Sequence, residues 1–512
     1  MNKWLVILLI FLFSISLRLW NLNEIGRTWD EEEYVGQGYK MIELMKNKDF
    51  NNSFFYTTYN HPPLVKYLYG IAAHFDVEKY LGNGEAVLNY DLTYSRILSA
   101  ILFSLGVVMV VVIGWKVFSS TVGIFSGIIL AMLPFSLGLS QLVTTESLKI
   151  FIYPLTVYAY ILLVEKFSWK GVLTAGIITG LALQSKQSNF LVIPILGAMC
   201  LFQYRQLKAS GKAAYASTRI KAILSISLIG IVVFILIWPQ ALFHFKEVYA
   251  IHQKLWNVHF SPKIWQITLS PPEIFFGRLM LTPIYYYVVY FFITIPLLIL
   301  CLFFIGVKQI LKKMNVYSFS ILIWFLLPFT LSIYSWRQHG LRYIIEIYPA
   351  IAIISAIGFE FIVRKFTKKQ IYQLLFFLPI VLYMFTSVWY IKPYYLDYFN
   401  ELVGGVNTVY RYKLFQIGWW GQGIREAGLY IIKNASKGSS VGLALSPVHS
   451  APPMPELNVQ IYDNRKKYDY VIVNSYNVLR EGFDDSLIEN NYIPVYFVKA
   501  DEAILATVYK LK

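Results

Sequence analysis

From Ile97 to Trp115 the chain runs without a single charged residue. A stretch of about 20 such residues is what an α-helix needs to cross a bilayer. Similar segments recur at roughly 121–140, 147–164, 171–185, 189–203, 222–240, 280–307, 317–335, 343–363 and 371–391. With a first segment from Trp4 to about Trp20 they make eleven expected spans. Lipid cannot hydrogen-bond a bare backbone, so each span must satisfy its own peptide groups as a helix. The expected fold class is a polytopic α-helical membrane protein. Composition agrees: 57% of the 512 residues are hydrophobic and only 14% charged, where a soluble chain carries roughly a quarter. The first segment follows a lone Lys3 and has no small-residue cleavage site behind it, which marks a retained anchor rather than a removed signal.

The formal net charge is +16, and its placement tells what it is for. Lys116, Lys166 with Lys170, Arg205 to Lys221, Lys308 to Lys313 and Arg364 to Lys369 all sit in short connections between apolar segments. Basic connections of this kind stay on the cytoplasmic side. That puts the amino terminus in the cytoplasm, and Asp30, His61, Lys66, Glu146, the 241–278 loop and Arg337 to Arg342 outside. The expected location is the plasma (cytoplasmic) membrane, multi-pass. A nucleic-acid groove would gather its cations on one soluble face, so no nucleic-acid partner is expected. Cys200 and Cys301 fall inside apolar segments and read as packing residues, not as a disulfide or zinc framework.

Residues 1–391 are expected to form the membrane domain, with two long outer stretches at about 21–95 and 241–278. Within the first, Leu64 to Phe75 reads as a short helix lying in the interface. From 392 to 512 the material changes. Short β-rich runs (Val441–Leu445, Tyr470–Val473, Ile493–Val498, Ile504–Val508) follow a helical stretch around Ile424–Lys433, as in a small extracytoplasmic soluble α/β domain. No Walker loop or dinucleotide fingerprint occurs anywhere.

Four constellations fall on the expected outer face. Thr28-Trp29-Asp30-Glu31-Glu32-Glu33-Tyr34 closes the first span. Glu32 and Glu33 read as a solvated acidic face, whereas Trp29 and Tyr34 bracket Asp30 with apolar mass. Acids at a membrane mouth usually face a polar cavity, and Asp30 there is placed to take a proton from a hydroxyl. His61-Pro62-Pro63-Leu64-Val65-Lys66 fixes a turn with two prolines; Lys66 either snorkels or meets an anionic headgroup as a point charge. Arg337-Gln338-His339-Gly340-Leu341-Arg342-Tyr343 puts two arginines on the side that normally avoids them, and the guanidinium fork suits phosphate. Thr144-Thr145-Glu146 offers one more acid, as metal ligand, acceptor contact or cap. Arg96 is placed to pair with one of these carboxylates. Trp256, Trp265, His252 and His259 in the second outer stretch suit either a sugar face or an interfacial aromatic belt.

An acid to deprotonate a hydroxyl and cations to hold a leaving phosphate are what displacement at a sugar carbon needs. A polyprenyl donor explains the membrane setting. A divalent cation on Glu146 or the Glu31–Glu33 cluster is an option; two cationic side chains at the phosphate serve equally.

At these residues the chain resembles the protein O-mannosyltransferase family, within the GT-C superfamily of polyprenyl-phosphate-sugar-dependent transferases and, more narrowly, its prokaryotic family 39 members. The resemblance rests on Trp29-Asp30-Glu31-Glu32-Glu33-Tyr34 and His61-Pro62-Pro63-Leu64-Val65-Lys66. It continues through Tyr94-Ser95-Arg96, Gln184-Ser185-Lys186, Arg342-Tyr343 with Tyr348-Pro349, Tyr394 to Gly405, and Trp420-Gly421-Gln422-Gly423. It implies an inverting transfer of one sugar, mannose among the options, from a polyprenyl phosphate to a hydroxyl of protein, lipid or surface glycan. Asp30 would be the base and Glu31 its neighbour in the acceptor site. Lys66 and Arg342, joined by Arg337, would hold the phosphate, the lysine as in the related lipid A aminoarabinose transferase. His61, Arg96 and Tyr343 would support them. The 241–278 stretch has no room for the MIR domain of eukaryotic members. Trp419-Trp420-Gly421-Gln422-Gly423 is similar to the WWDYG signature of oligosaccharyltransferases but lacks its aspartate. The rival reading is a transporter or flippase of lipid-linked sugars; such proteins tend to carry repeats and midplane charges, and neither is visible here. A silent scaffold that recruits partners through its tail is a third.

Overall fold

The computed structural model describes residues 2–57, 61–82, 85–209, 215–260, 273–333, 339–444, 446–475 and 486–512. Helical segments stand at each of the eleven expected spans. They are α1 (Lys3–Leu19), α4 (Thr93–Val117), α5 (Ser120–Met132) with α6 (Pro134–Ser140), α7 (Thr145–Glu165), α8 (Trp169–Ser185) and α9 (Val192–Ala209). After these come α10 (Tyr215–Ile237), α12 (Tyr286–Thr294) with α13 (Leu297–Lys312), α14 (Val316–Ser332), α15 (Ile347–Val363) and α16 (Gln370–Trp389). Among the described residues five helices are long and apolar enough to cross a membrane alone, or up to seven if each bent pair is one span.

Those bent pairs correct the expectation of continuous spans. The chain turns by 68° between α5 and α6 and by 114° between α12 and α13. Pro134 and Pro296 stand at the breaks, where a missing N–H and a ring clash end the preceding helix. Freed carbonyls in an apolar setting need donors, and side chains supply them. Asn400 gives its carboxamide to Phe292 O at 2.6 Å and Ile295 O at 2.7 Å, and its own N–H to Ile293 O at 2.8 Å. At the other break Arg18, fully buried, donates to Ala131 O at 3.4 Å and lies 4.3 Å from the Phe103 ring.

The 21–95 stretch is more structured than expected. It folds into α2 (Glu31–Lys46), α3 (Leu64–Ala73) and an antiparallel hairpin of β1 (Val77–Gly82) and β2 (Glu85–Leu88). The Leu64–Phe75 run forms a helix in which Val65, Lys66, Tyr69 and Ala73 of α3 are wholly buried, while Ile71 and Phe75 on its other side stay exposed. Glycine makes this possible. A Cβ on Gly70 would collide with the Gly38 carbonyl, and one on Gly38 with the Lys66 carbonyl, so α2 and α3 touch backbone to backbone. We expect Gly70→Val to lose roughly 3 kcal/mol, the upper range for overpacking, and to lower activity by shifting Lys66. A melting series with a turnover assay checks both.

The second long connection carries α11 (Phe245–Phe260) and a hairpin of β3 (Glu273–Phe275) and β4 (Arg278–Met280). His252 lies half-buried and tilted to Trp238, ring centroids 6.0 Å apart, and bonds its own helix at Val248 O. Trp265 lies outside the described residues, as do the side chains of Trp256 and His259. Cys200 is buried, but Cys301 is exposed on α13, so it faces outward from the bundle rather than packing.

A five-stranded mixed sheet closes the chain, in the order β6-β5-β7-β9-β8. Its strands are β5 (Ser440–Leu443), β6 (Asn458–Ile461), β7 (Tyr470–Asn474), β8 (Tyr492–Ala500) and β9 (Ala503–Leu511). The helix α17 (Ile424–Asn434) precedes them. The four expected strands and the helix are all present; the added β6 is a four-residue edge strand with no buried residue to give it a pattern. Residues of this sheet share one apolar core with the helices. Asn474 of β7 donates to Gln422 O at 2.9 Å, which ties the sheet to the loop that carries Trp419 and Trp420.

Candidate active site

Asp30 is the residue just ahead of α2, and its side chain does not cap that helix. It reaches instead to Arg342, whose Nη2 lies 3.0 Å from Asp30 Oδ2. Arg342 Nε sits 3.1 Å from Glu146 Oε1, and Lys186 Nζ lies 2.7 Å from the same oxygen. Four charges from four elements thus meet at one end of the bundle. Exposure separates them: the Asp30 side chain is 39% accessible, against 5% for Arg342, 0% for Glu146 and 5% for Lys186. Of the linked carboxylates, Asp30 is the one open to a second molecule.

The neighbouring Glu31 plays a different part. Its oxygens accept from Arg96 Nε at 2.8 Å and Nη2 at 2.7 Å, from the N–H groups of Thr28 at 2.8 Å and Val143 at 3.0 Å, and from the Thr28 hydroxyl at 3.1 Å. Burial works to raise this carboxyl, but Arg96 and the two N–H groups outweigh it and hold it below the usual carboxylate range. Five donors leave a carboxylate, with about four lone-pair sites, no room for another ligand. In this structure the Glu31 oxygens, expected at an acceptor or a metal, are all taken by the protein's own donors. Glu31 fixes the turn from which Asp30 projects.

Glu146 is also not the lone loop acid of the sequence reading. It opens α7, fully buried, between two cations. Among the described residues no three His, Cys, Asp or Glu side chains gather as a metal site, and the oxygens of Glu31 and Glu146 are engaged by the protein's own cations.

Lys66 is wholly buried on α3 and donates to the Gln37 carboxamide. Burial lowers its ammonium to about 8, partly opposed by Glu33. His61 stacks with Tyr34 at 6.2 Å. Burial and the nearby charges of Lys186, Lys66 and Arg342 push its imidazole well below the usual range, against the pull of Glu146. At neutral pH it adds no positive charge. Tyr343 lies beside the cations, its ring 5.7 Å from Arg342 and 5.5 Å from Lys186. Arg337 lies outside the described residues.

An aromatic floor supports Arg342. Its guanidinium stands 4.0 Å over the Trp420 ring, Trp420 stacks on Trp419 at 4.9 Å, and Trp419 stacks on His339 at 4.7 Å. A further buried pair, Lys149 with Glu346, lies next to the network, with Lys149 also donating to Ser188 at 2.8 Å. Sequence reading passed over Lys149 and Glu346. Helical spacing held part of the clue, since Lys149 follows Glu146 by three residues on α7, an offset that shares a helix face; Glu346 stands in the turn just ahead of α15 and has no such signal.

A sequence profile described as dolichyl-phosphate-mannose-protein mannosyltransferase matches residues 60–238, which include His61, Lys66, Arg96, Glu146 and Lys186. No curated protein matches the sequence. Among solved structures, ArnT from Cupriavidus metallidurans bound to undecaprenyl phosphate is similar over 98% of this chain and 97% of its own, at 12% identity and a TM-score of 0.50. Its apo form gives 11% identity and a TM-score of 0.51 over the same shares. AglB of Archaeoglobus fulgidus, solved with an inhibitory peptide and a dolichol phosphate, aligns with 100% of this chain and 74% of its own at 16% identity and a TM-score of 0.48. End-to-end coverage of ArnT shows a shared fold, that of a multi-pass membrane protein with a small carboxy-terminal sheet.

Proposed function

We propose that this GT-C glycosyltransferase of the protein-mannosyltransferase type moves one sugar from a polyprenyl phosphate to a hydroxyl at the end of the bundle where Asp30 opens. The carrying observation is the Arg342 bridge. One guanidinium holds both an accessible carboxylate, Asp30, and a buried one, Glu146. Asp30 Oδ takes the acceptor proton, the acceptor oxygen bonds to the anomeric carbon from the face opposite the phosphate, and the carbon–phosphate-oxygen bond breaks with inversion. The departing phosphate gains a negative charge, which fixed cations stabilise most when water is excluded. Arg342 and Lys66 are the cations for it, with His61 and Lys186 beside them. Because Glu146 stays paired to Lys186, Arg342 can turn toward a phosphate without leaving that acid bare.

The amino terminus and the basic connections belong on the cytoplasmic side of the plasma membrane, residues 1–391 in the membrane domain, and 392–512 outside. Lys116, paired with Glu165 at 2.9 Å, lies at the end of α4 remote from Arg96, in keeping with this orientation. A carrier that flips lipid-linked sugars would need charges along a path. Here the described ion network gathers at one end of the bundle.

Release of polyprenyl phosphate from a panel of radiolabelled polyprenyl-phosphate monosaccharides tests the reading; no release with any donor, alongside donor crossing vesicle membranes, would favour transport. The pH profile adds a specific check. Lys66 is charged below about 8, so the donor KM should hold steady to neutral pH and rise about tenfold above 8, the scale of one lost charged hydrogen bond. Lys66→Arg should abolish that limb, because guanidinium keeps its proton. A lysine depressed on folding binds fewer protons than the unfolded chain between its two values, so its contribution to stability rises with pH across the same window. Weakening donor affinity without heat destabilisation therefore marks Lys66 rather than alkaline unfolding.

A further inference from the structure

Away from the ion network, a cavity of about 570 Å³ opens beside the last span. One wall is a stripe of α16: Tyr383, Thr386, Ser387 and Tyr390 line it. Their spacing of i, i+3, i+4 and i+7 is one helix face. Four hydroxyls on one stripe of a span are conspicuous, because α16 otherwise presents exposed Leu378, Leu382 and Phe385, as a lipid-facing helix should. The opposite wall is Asn400, Glu401 and the Gly404-Gly405 turn, with Tyr398 between.

The hydrogen bonds of the lining say what it accepts. Tyr383 gives its proton to Glu401 at 2.8 Å, and Thr386 and Ser387 both give theirs to the Tyr383 carbonyl, at 2.8 and 3.0 Å. Asn400 spends its carboxamide N–H groups on Phe292 O and Ile295 O. Those donors are turned inward, so hydroxyl lone pairs, tyrosine rings and an exposed carboxylate remain for a guest. No lysine or arginine among the described residues lines the cavity. A site of this composition repels anions and suits a cation rich in N–H donors. Rings with a carboxylate are also the means by which proteins hold alkylammonium groups. Its setting names the source. Tyr383 to Tyr390 are the last two turns of a span, and the Trp389 ring lies tilted against Trp20, centroids 5.4 Å apart, at the end of α1 that leads to Asp30. The mouth thus lies at headgroup level on the side of the active site, where aromatic residues collect.

We propose that this cavity is a lipid site that holds the ammonium of a phosphatidylethanolamine headgroup from the outer leaflet, with Glu401 as counter-ion. The choice of leaflet rests on the orientation proposed above, whereas the ammonium site itself does not depend on the transferase reading. The full chain is exchanged into nanodiscs of equal phosphatidylethanolamine and phosphatidylglycerol, re-extracted in mild detergent, and its retained lipid measured by native mass spectrometry. Ethanolamine lipid should be retained roughly three- to tenfold above its bulk ratio, the range of a partly desolvated cation–π and ion contact. Glu401→Gln should bring the ratio to bulk. Thr386→Val, which keeps the Glu401–Tyr383 bond, should lower it in part, and a melt of each variant checks folding. A wild-type ratio equal to bulk overturns the proposal whatever the variants do, as does undiminished enrichment in folded Glu401→Gln. Displacement of the lipid by millimolar soluble phosphoethanolamine would mark a soluble-amine site and overturn the lipid assignment.

Discussion

Asp30→Asn is expected to lower turnover by about 10²- to 10⁴-fold, the usual worth of a positioned general base, with donor binding preserved or improved. The second half of that expectation comes from the geometry. Arg342 holds Asp30 at 3.0 Å and Glu146 at 3.1 Å, so removing the Asp30 charge leaves the arginine anchored and frees one arm of its fork. Asparagine has the same shape as aspartate but takes no proton from the acceptor. The donor KM should therefore stay within about threefold of wild type or fall, while kcat collapses; loss in kcat alone marks an interaction made in the transition state. Released polyprenyl phosphate, measured under saturating donor, reads kcat directly. Turnover within tenfold of wild type would remove Asp30 from the base role.

The parts of this site that the sequence disclosed were those with a local signature. Asp30 stood out because acids are scarce near a span, His61-Pro62-Pro63 because two prolines force a turn, and Arg342 because cations avoid the outer side. The eleven apolar segments were legible for the same reason, since a bilayer imposes a length and a composition on each. What stayed hidden depended on contacts between distant segments. Glu31 and Asp30 are adjacent in sequence and look alike, yet one is saturated by Arg96, 65 residues away, and the other is open. The burial of α3 depends on Gly38 meeting Gly70 across two helices, which no periodicity within either one reveals. The break at Pro296 was hidden because Asn400, a hundred residues on, supplies the donors that make it tolerable.

Arg96 governs stability as Asp30 governs chemistry. Both Arg96 and Glu31 are completely inaccessible, and Arg96 also donates to Leu22 O at 3.0 Å and to Gly26 O. It thereby clamps the whole segment from the end of α1 to the start of α2 onto α4. Arg96→Met would leave a buried carboxylate without its counter-charge, and breaking such a pair costs about 3–5 kcal/mol. We expect the melting midpoint in detergent to drop by roughly 10 °C, at a few degrees per kcal/mol. Arg96→Lys should fall between, because an ammonium keeps the charge but cannot span Glu31 and both carbonyls as the guanidinium fork does. The double variant Glu31→Leu with Arg96→Met separates the two roles. With neither charge buried, much of the lost stability should return. Turnover should not return with it, because the backbone that presents Asp30 to Arg342 has lost the anchor next to it, and misplacement by about 1 Å costs on the order of 10²-fold. A double variant that melts like wild type and also turns over like wild type would show that Asp30 is held by something other than the Glu31–Arg96 clamp.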